Sequence, residues 1–379
     1  MPSAPSFEKT TTLVGRALGM NPDELRAGFR PATRAELPQI LSIRRKILGD
    51  RLTWDDARYL TWRYDFDGAP PDEARGTCFV VVRNEQVLGL VGAEHVRLTY
   101  DDDRLPSLLI MDIAVDPSIE GSGLGIWMDL ALFDAHPIVL AIGANPNSIG
   151  LVEKLFHALP PRTHYVTPVR FTRFLQKRLG LAHVATLLAL PANVAVRAWR
   201  KLARLAGRGL ELRAITRFDT SVDALFSRRS RPAEVTFERT AATLNWRLFQ
   251  NPRARYEVIG AYDGSTLVGY IAAQQTARRD ALREVGIVDW LVDALHPGAF
   301  EILVLDVLRR AARADIDLVH ATPLLASSGP TLRRLGFRAA KRTYNVVGVR
   351  VADPERRPRL LDGAAWYLNE ANTDRDGMA

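Results

Sequence analysis

The residues best suited to chemistry are three glycines that follow an apolar run, because such a turn can hold an anion. The segment Leu108–Leu132 begins as an apolar run, passes through Asp116-Pro117 and Gly121, Gly123 and Gly125, and ends in an apolar stretch with helical spacing. Strand, glycine turn and helix in this order direct successive backbone N–H groups to one spot at the positive end of a helix. The pattern predicts a cradle for a phosphate-bearing ligand; a tight turn without a ligand is the alternative.

The spacing excludes two common phosphate motifs. A dinucleotide fingerprint needs G-x-G-x-x-G, but here the third glycine comes one residue early and Ile126 follows it; the Gly-Lys-Ser/Thr of a P-loop is absent. The segment instead resembles the acyl-CoA segment of the GNAT N-acyltransferase superfamily, in which V-x-P and then Q/R-x-x-G-x-G/A open a helix. Val115-Asp116-Pro117 and the glycines match this pattern, whereas Glu120 stands where Gln or Arg is expected.

This resemblance implies acetyl-CoA or a longer acyl-CoA as co-substrate. It implies that backbone groups of Ile113 and Val115 pair with the pantetheine arm and polarise the thioester carbonyl. The residues it places around the pyrophosphate are Glu120, Gly121, Ser122, Gly123, Leu124, Gly125 and Ile126. The later segment NPNSIGLVEKLFH resembles the N-x-x-A-x-x-L-Y-E-K-L-G-F element of the family, which adds Asn145 and Ser148 to the carrier-binding residues. Val152 occupies the position of a tyrosine that often protonates the leaving thiolate, so that role falls to another group or to water.

Acyl transfer from a thioester to an amine also needs groups that move protons. Two carboxylates lie on neighbouring predicted strands: Asp112 inside the apolar central strand, and Glu94 on the strand Val87–Val96. Burial tends to raise the pKa of Asp112 toward a useful value, so both are candidate bases, acting directly or through water. The structural alternative is that each pairs with an arginine or with backbone. Candidates for the acid are Tyr165, Tyr100 and His157.

The second half of the chain repeats the first at a nearly constant separation. Leu60–Tyr64 recurs as Leu244–Leu248, and the strand around Asp112 resembles the strand around Asp289. The second copy has one glycine, Gly298, where the first has three, yet it keeps the L-x-x-L-G-F ending of a GNAT domain at 332–337. We therefore expect an α/β fold (mixed sheets of the α+β kind) in which two tandem GNAT-like domains, the second degenerate, are joined by a helical connector.

The predicted organisation has five parts. These are a leader, 1–28; a GNAT domain with the acyl-CoA site, 29–165; a basic amphipathic connector, 166–210; a degenerate GNAT-like domain, 211–350; and a tail, 351–379. In the connector Arg and Lys recur on a helical period that Pro191 interrupts. A peripheral contact with an anionic membrane through residues 174–208 is one interpretation; packing between the domains is the other.

Composition restricts the partners. The 379 residues carry a net charge of +8, which suits nucleic acid, anionic lipid or an anionic substrate, but no motif interleaves basic and aromatic residues, so we expect no nucleic-acid partner. The one cysteine, Cys78, indicates a reducing cytoplasm, with membrane association left open. The seven histidines lack ligand spacing, so no metal is expected. We find no signal peptide and no apolar stretch of ~20 residues.

Two functions fit these observations. The first is an N-acyltransferase that moves an acyl group, acetyl above all, from acyl-CoA to an amine of a small-molecule, sugar or peptide acceptor by direct attack in a ternary complex. The alternative is an inactive GNAT-fold binding or scaffold protein at a membrane or an envelope-biosynthesis assembly, which Glu120 and Val152 favour. Asn251, Pro252 and Tyr256 after the second W-R pair resemble a bacterial subgroup linked to exopolysaccharide or envelope synthesis. The basic surface also suits an acidic acyl carrier protein as donor.

Overall fold

The computed structural model describes residues 6–49, 57–67, 75–100, 103–143, 149–172, 176, 187, 190, 209–229, 234–277, 282–325, 327–340 and 347–372. Most of the predicted connector lies outside these ranges, as do Asn145, Ser148 and the end of the tail. The statements below concern the described residues.

The first half alternates helices with long antiparallel strands. Its helices are α1 (Phe7–Leu18), α2 (Pro22–Gly28), α3 (Leu37–Leu48), α4 (Ala57–Arg63), α5 (Leu124–Ala135) and α6 (Ile149–Leu155). Its strands are β1 (Phe29–Pro31), β2 (Tyr64–Asp65), β3 (Gly76–Arg83), β4 (Gln86–Tyr100), β5 (Asp103–Val115), β6 (Ile138–Ile142), β7 (His157–Ala158) and β8 (His164–Pro168). The predicted hairpin is confirmed: Asn84 and Glu85 take positive φ angles in the turn between β3 and β4.

The second half begins with a strand and also contains both helices and strands. Its strands are β9 (Glu211–Ile215), β10 (Val235–Phe237), β11 (Tyr256–Asp263), β12 (Thr266–Ala277), β13 (Arg283–Val292), β14 (Leu318–Ala321), β15 (Arg338–Ala340), β16 (Val347–Val351) and β17 (Trp366–Tyr367). Its helices are α7 (Thr220–Ser227), α8 (Ala241–Phe249), α9 (Gly298–Arg313), α10 (Ser328–Arg334) and α11 (Arg357–Leu360). The predicted mixed α/β fold is confirmed.

The two sheets exchange strands. The first sheet runs β1-β3-β4-β5-β6-β16-β7, and the second runs β15-β8-β14-β13-β12-β11-β9. Strand β8 comes from the first half but pairs with β14 and β15, whereas β16 comes from the end of the chain and pairs with β6 and β7. The predicted boundaries at residues 165 and 350 each fall inside one of these strands, so contiguous segments do not describe the sheets.

In each sheet the parallel pairing of two central strands stops before the longer strand ends, and we call the interval beyond the last pair the wedge. In the first sheet β5 and β6 pair from Leu108 to Ile110, and β5 continues to Val115 without β6 as a neighbour. Asp112, with φ of 54°, lies at an irregularity where β5 has one more residue than β4. Such a bulge bends a strand and strengthens its twist, so it helps to separate β5 from β6.

Helix α5 is buried from both sides. One side packs on the sheet: Leu124 and Met128 approach Gly89 of β4. The other side is covered by α1, where the Trp127 indole stacks on Phe7 and donates a hydrogen bond to Thr11 Oγ1 at 2.9 Å. This double cover explains why α5 is apolar all round rather than on one face.

Candidate functional site

The glycine turn before α5 leaves its backbone N–H groups open. Gly121 and Gly123 take φ angles of 83° and 81°, a left-handed conformation that only glycine adopts at little cost. The amides of Gly121, Gly123, Gly125 and Ile126 have no acceptor within the described residues. No heavy atom lies within 4 Å of the position that a Cβ on Gly121 would occupy. The turn therefore presents four donors at the head of a helix.

The turn opens onto the wedge. A Cβ on Gly125 would lie 3.7 Å from Ile113 Cγ2 and 3.8 Å from Val115 Cγ2, so the first turn of α5 faces the end of β5 beyond the bulge. Glu120 is exposed at the start of the turn, and Val14 of α1 borders Gly123. A ligand held by the free amides would have direct access to the interval between β5 and β6.

Asp112 is paired, not poised as a base. Arg44 Nη1 lies 3.0 Å from one carboxylate oxygen, and the Tyr64 hydroxyl donates a 2.6 Å hydrogen bond to the other. Burial acts to raise the pKa of Asp112, but the charges of Arg44 and Arg63 and the hydrogen bonds outweigh it and lower the pKa below its ordinary value. The upward shift expected from the sequence is wrong, because it ignored the cations that α3 and α4 supply.

Glu94 lies between two arginines from different halves of the chain. Its carboxylate is 3.0 Å from Arg63 Nη2 and accepts a 2.6 Å hydrogen bond from Arg247 Nη2. Burial acts to raise the pKa of Glu94, and the charges of Arg247 and Arg63 lower it overall. The arrangement matches the structural alternative, in which the carboxylate binds arginine.

Tyr165 belongs to the other sheet. On β8 it stands opposite Ala321 and Ala339, and it packs in the core of the second half. Its hydroxyl lies 3.4 Å from Arg333 Nη1. The structure thus does not bring Tyr165 together with the glycine turn, because β8 crosses to the second sheet. Asn145 and Ser148 lie outside the described residues, and Val152 is buried against Gly348 of β16.

The repeated W-R elements meet each other, a contact that the sequence did not reveal. The rings of Trp62 and Trp246 stack with centroids 4.7 Å apart, and Trp246 Nε1 donates to the Trp62 carbonyl at 3.3 Å. Arg63 and Arg247, the next residues in each copy, share Glu94. The repeated W-R sequence was the feature that could have predicted this contact, since matching surfaces often meet about a twofold axis.

The second half has the same paired aspartate without the glycine turn. Asp289, at an irregularity of β13, binds Arg239 at 3.0 Å and accepts a 2.6 Å hydrogen bond from the Tyr270 hydroxyl. Where the first half has open glycines, Trp290 of β13 stacks on Phe300 in the first turn of α9, with centroids 5.0 Å apart. Trp290 and Phe300 also line a cavity of about 260 Å³ in this half.

A cavity lies between the two halves, on the side of the first sheet opposite α5. Glu94 and Leu109 line it from the first sheet, and Phe237, Thr243 and Trp246 line it from the second half. Charged groups around it are paired: Glu238 is 3.3 Å from Arg104 and 3.8 Å from Arg97. The cavity offers polar and aromatic surface close to the row in which Glu94 pairs with Leu109.

Within the described ranges no helix is long and apolar enough to cross a membrane. In the same part of the chain, no group of three or more His, Cys, Asp or Glu side chains is placed to hold a metal ion. The segment 174–208 falls outside the description except for residues 176, 187 and 190, so a membrane contact there stays a prediction.

Solved structures share this fold. A GCN5-related N-acetyltransferase from Anabaena variabilis superposes with a TM-score of 0.57 at 14% identity, covering 86% of this chain and 72% of that one. A GCN5-related N-acetyltransferase from Kribbella flavida gives 0.52 at 14% identity, with the same coverages. Saccharomyces cerevisiae N-myristoyltransferase, with bound myristoyl-CoA, gives 0.50 at 11% identity, covering 85% and 77%. No protein-family model matches the sequence, and no curated protein does. The chain therefore has the GNAT fold.

Proposed function

We propose that the protein is an acyl-CoA-dependent N-acyltransferase. The observation that carries the proposal is the set of four unbonded amides at residues 121, 123, 125 and 126, which open beside the wedge of a GNAT fold. Backbone donors at a helix N-terminus suit the diphosphate of CoA, and the extended arm would lie along β5 beyond its last pair with β6. The bound myristoyl-CoA of the yeast structural neighbour supports this class of donor.

The arm would bring the thioester to the bulge at Asp112. The family resemblance expects the backbone of Ile113 and Val115 to polarise its carbonyl there. Positioning the thioester and the amine together can supply much of the rate. We place the acceptor, a small-molecule or glycan-precursor amine, in the cavity between the halves, because this cavity approaches β5 from the side away from α5.

The two carboxylates would then shape the site without accepting the proton of the amine. Asp112 and Glu94 have lowered pKa values and are held by arginines, so neither is a ready proton acceptor at neutral pH. The amine would enter already neutral or lose its proton to water. In the alternative function, an inactive scaffold protein, the same residues would bind acyl-CoA but no acyl group would be transferred.

Calorimetry with CoA and acetyl-CoA tests the proposal, using Gly121→Glu as the disruptive variant. A carboxylate about 6 Å from a phosphate charge costs ~2–3 kcal/mol at an effective dielectric constant of ~20, which weakens binding about a hundredfold. Gly264→Glu is the matched control, since Gly264 also has a positive φ and open space but lies in the β11–β12 turn. Both variants place a side chain at a positive φ, 83° at Gly121 and 58° at Gly264.

We expect the wild type and Gly264→Glu to bind alike and Gly121→Glu to bind weakly. No binding of either ligand to the wild type would overturn the proposal. Binding without acylation of any amine in a screened panel would support the scaffold function instead.

A further inference from the structure

Asp129 is a buried carboxyl group in the middle of α5 that lacks the partner other buried acids have. It is 2% exposed, and no donor within the described residues reaches its Oδ1. By contrast, Asp289 and Asp306, which are similarly buried, each contact an arginine. An unpaired buried carboxylate is costly, so this group is neutral in the free protein or binds something that enters from outside.

Its place on the helix puts it against the wedge. Residues four apart share a helix face, and Gly125, one turn earlier, faces Ile113 and Val115 at the end of β5. Phe133, one turn later, packs edge-on against Phe156 with centroids 5.0 Å apart and lies under the Arg350 guanidinium of β16. By helical spacing, Asp129 therefore shares a face of α5 with Gly125, which faces the end of β5, and with Phe133, which lies under Arg350 of β16.

Charged neighbours do not set the protonation of Asp129. The titratable groups on the elements packed around it are Glu8, Lys9 and Arg16 of α1, Glu94, His95, Arg97 and Tyr100 of β4, Asp103, Arg104 and Asp112 of β5, Asp134 and His136 at the end of α5, Glu153 and Lys154 of α6, and Arg350 of β16. None of them contributes to the shift: burial alone raises the pKa of Asp129 to about 7. Near neutral pH the side chain is therefore partly a neutral acid that can donate one hydrogen bond.

We propose that Asp129 is a positioning residue for the acyl donor, whose protonated carboxyl donates a hydrogen bond to an amide carbonyl of the pantetheine arm in the wedge. The inference rests on the proposed function and deepens it. No covalent bond is made or broken. The hydrogen bond to the bound arm stabilises the protonated form of Asp129. Binding of the donor and protonation of this side chain are thereby coupled.

The coupling predicts a pH-dependent dissociation constant. If the protonated form binds, the dissociation constant of acetyl-CoA rises about thirtyfold from pH 6 to pH 8.5 for a group that titrates near 7. Asp129→Asn keeps a donor and cannot titrate, so its dissociation constant should follow only the ionisation of the ligand itself. Asp129→Leu has no donor, so we expect at least tenfold weaker binding at pH 6 and the same shallow pH profile as the Asn variant.

Isothermal titration calorimetry at pH 8 in two buffers of different ionisation enthalpy measures the proton directly. We expect the wild type to take up close to one proton more than Asp129→Asn on binding acetyl-CoA. Thermal unfolding of all three proteins checks the fold; the Leu variant should be no less stable, because it removes an unpaired buried carboxyl.

The outcomes separate the two proposals. Tight binding by the wild type with the same pH profile and proton count as Asp129→Asn overturns the role of Asp129 and leaves the acyl-CoA site intact. Absence of binding by the wild type and by both variants at every pH overturns the proposed function itself.

Discussion

Replacing Glu94 with glutamine distinguishes a structural ion pair from a catalytic base. The carboxylate contacts Arg63 Nη2 at 3.0 Å and Arg247 Nη2 at 2.6 Å, and the two arginine side chains are 0% and 8% exposed. A neutral glutamine would leave two guanidinium charges in a buried site without their anion. Removing one member of a buried ion pair costs about 3–5 kcal/mol, and we expect a loss of that size in the free energy of unfolding, measured by urea denaturation.

The competing role predicts the opposite pattern. If Glu94 were the general base, Glu94→Gln would keep nearly full stability and lose about 10²–10⁴ in kcat. Glu238→Gln is the matched control, because Glu238 lines the same cavity but its partners Arg97 and Arg104 are 40% and 68% exposed. We expect the control to lose less than about 1 kcal/mol. A stable Glu94→Gln protein with a collapsed kcat would refute the ion-pair reasoning.

The pH dependence of this stabilisation has a definite sign. The pKa of Glu94 is lowered in the folded protein, since Arg247 and Arg63 outweigh burial, so the unfolded chain binds this proton more tightly. The contribution is complete above the ordinary value of 4.5 and disappears as the pH falls through the lower folded value. The stability difference between the wild type and Glu94→Gln should therefore shrink as the pH falls below 4.5.

Two further changes test how the site is supported. Gly92→Ala would place a Cβ 2.0 Å from the Tyr64 hydroxyl that donates to Asp112. We expect the free energy of unfolding, measured by urea denaturation, to fall by about 1–3 kcal/mol. The control Gly150→Ala, in open space on α6, should be neutral or slightly stabilising. A chain ending at residue 172 would lack β16, which joins β6 to β7; we expect no cooperative thermal transition by near-ultraviolet circular dichroism, and a cooperative one would contradict the strand exchange.

Local sequence signals predicted the parts of the site that are built from consecutive residues. The glycine turn, the β3–β4 hairpin and the helix after Gly123 depend on residue types within a few positions of each other. Left-handed φ angles at Gly121 and Gly123 are a property of glycine. Such elements can be predicted because their determinants lie within them.

Contacts between distant segments were not predictable in the same way. The sequence drew attention to Asp112 as an acid in an apolar strand, but the sign of its pKa shift depends on Arg44 and Arg63 from two separate helices. The β16 segment gives no indication that it pairs with β6 rather than with its own half. Asp129 was overlooked because α5 is apolar all round, and its burial depends on the distant segments that pack around this helix.

The second half lacks the glycine turn, yet it completes the sheet of the first half. It supplies β16, without which β6 and β7 are not joined, and it supplies Trp246 and Arg247, which cover Trp62 and neutralise Glu94. The first half in turn contributes a strand to the second sheet, because β8 lies between β14 and β15. Substitutions at this junction therefore affect contacts with the other half. The position in the second half that corresponds to the glycine turn holds the stacked Trp290 and Phe300 instead. Completing the first sheet is thus a structural role for the second half that needs no open amide turn.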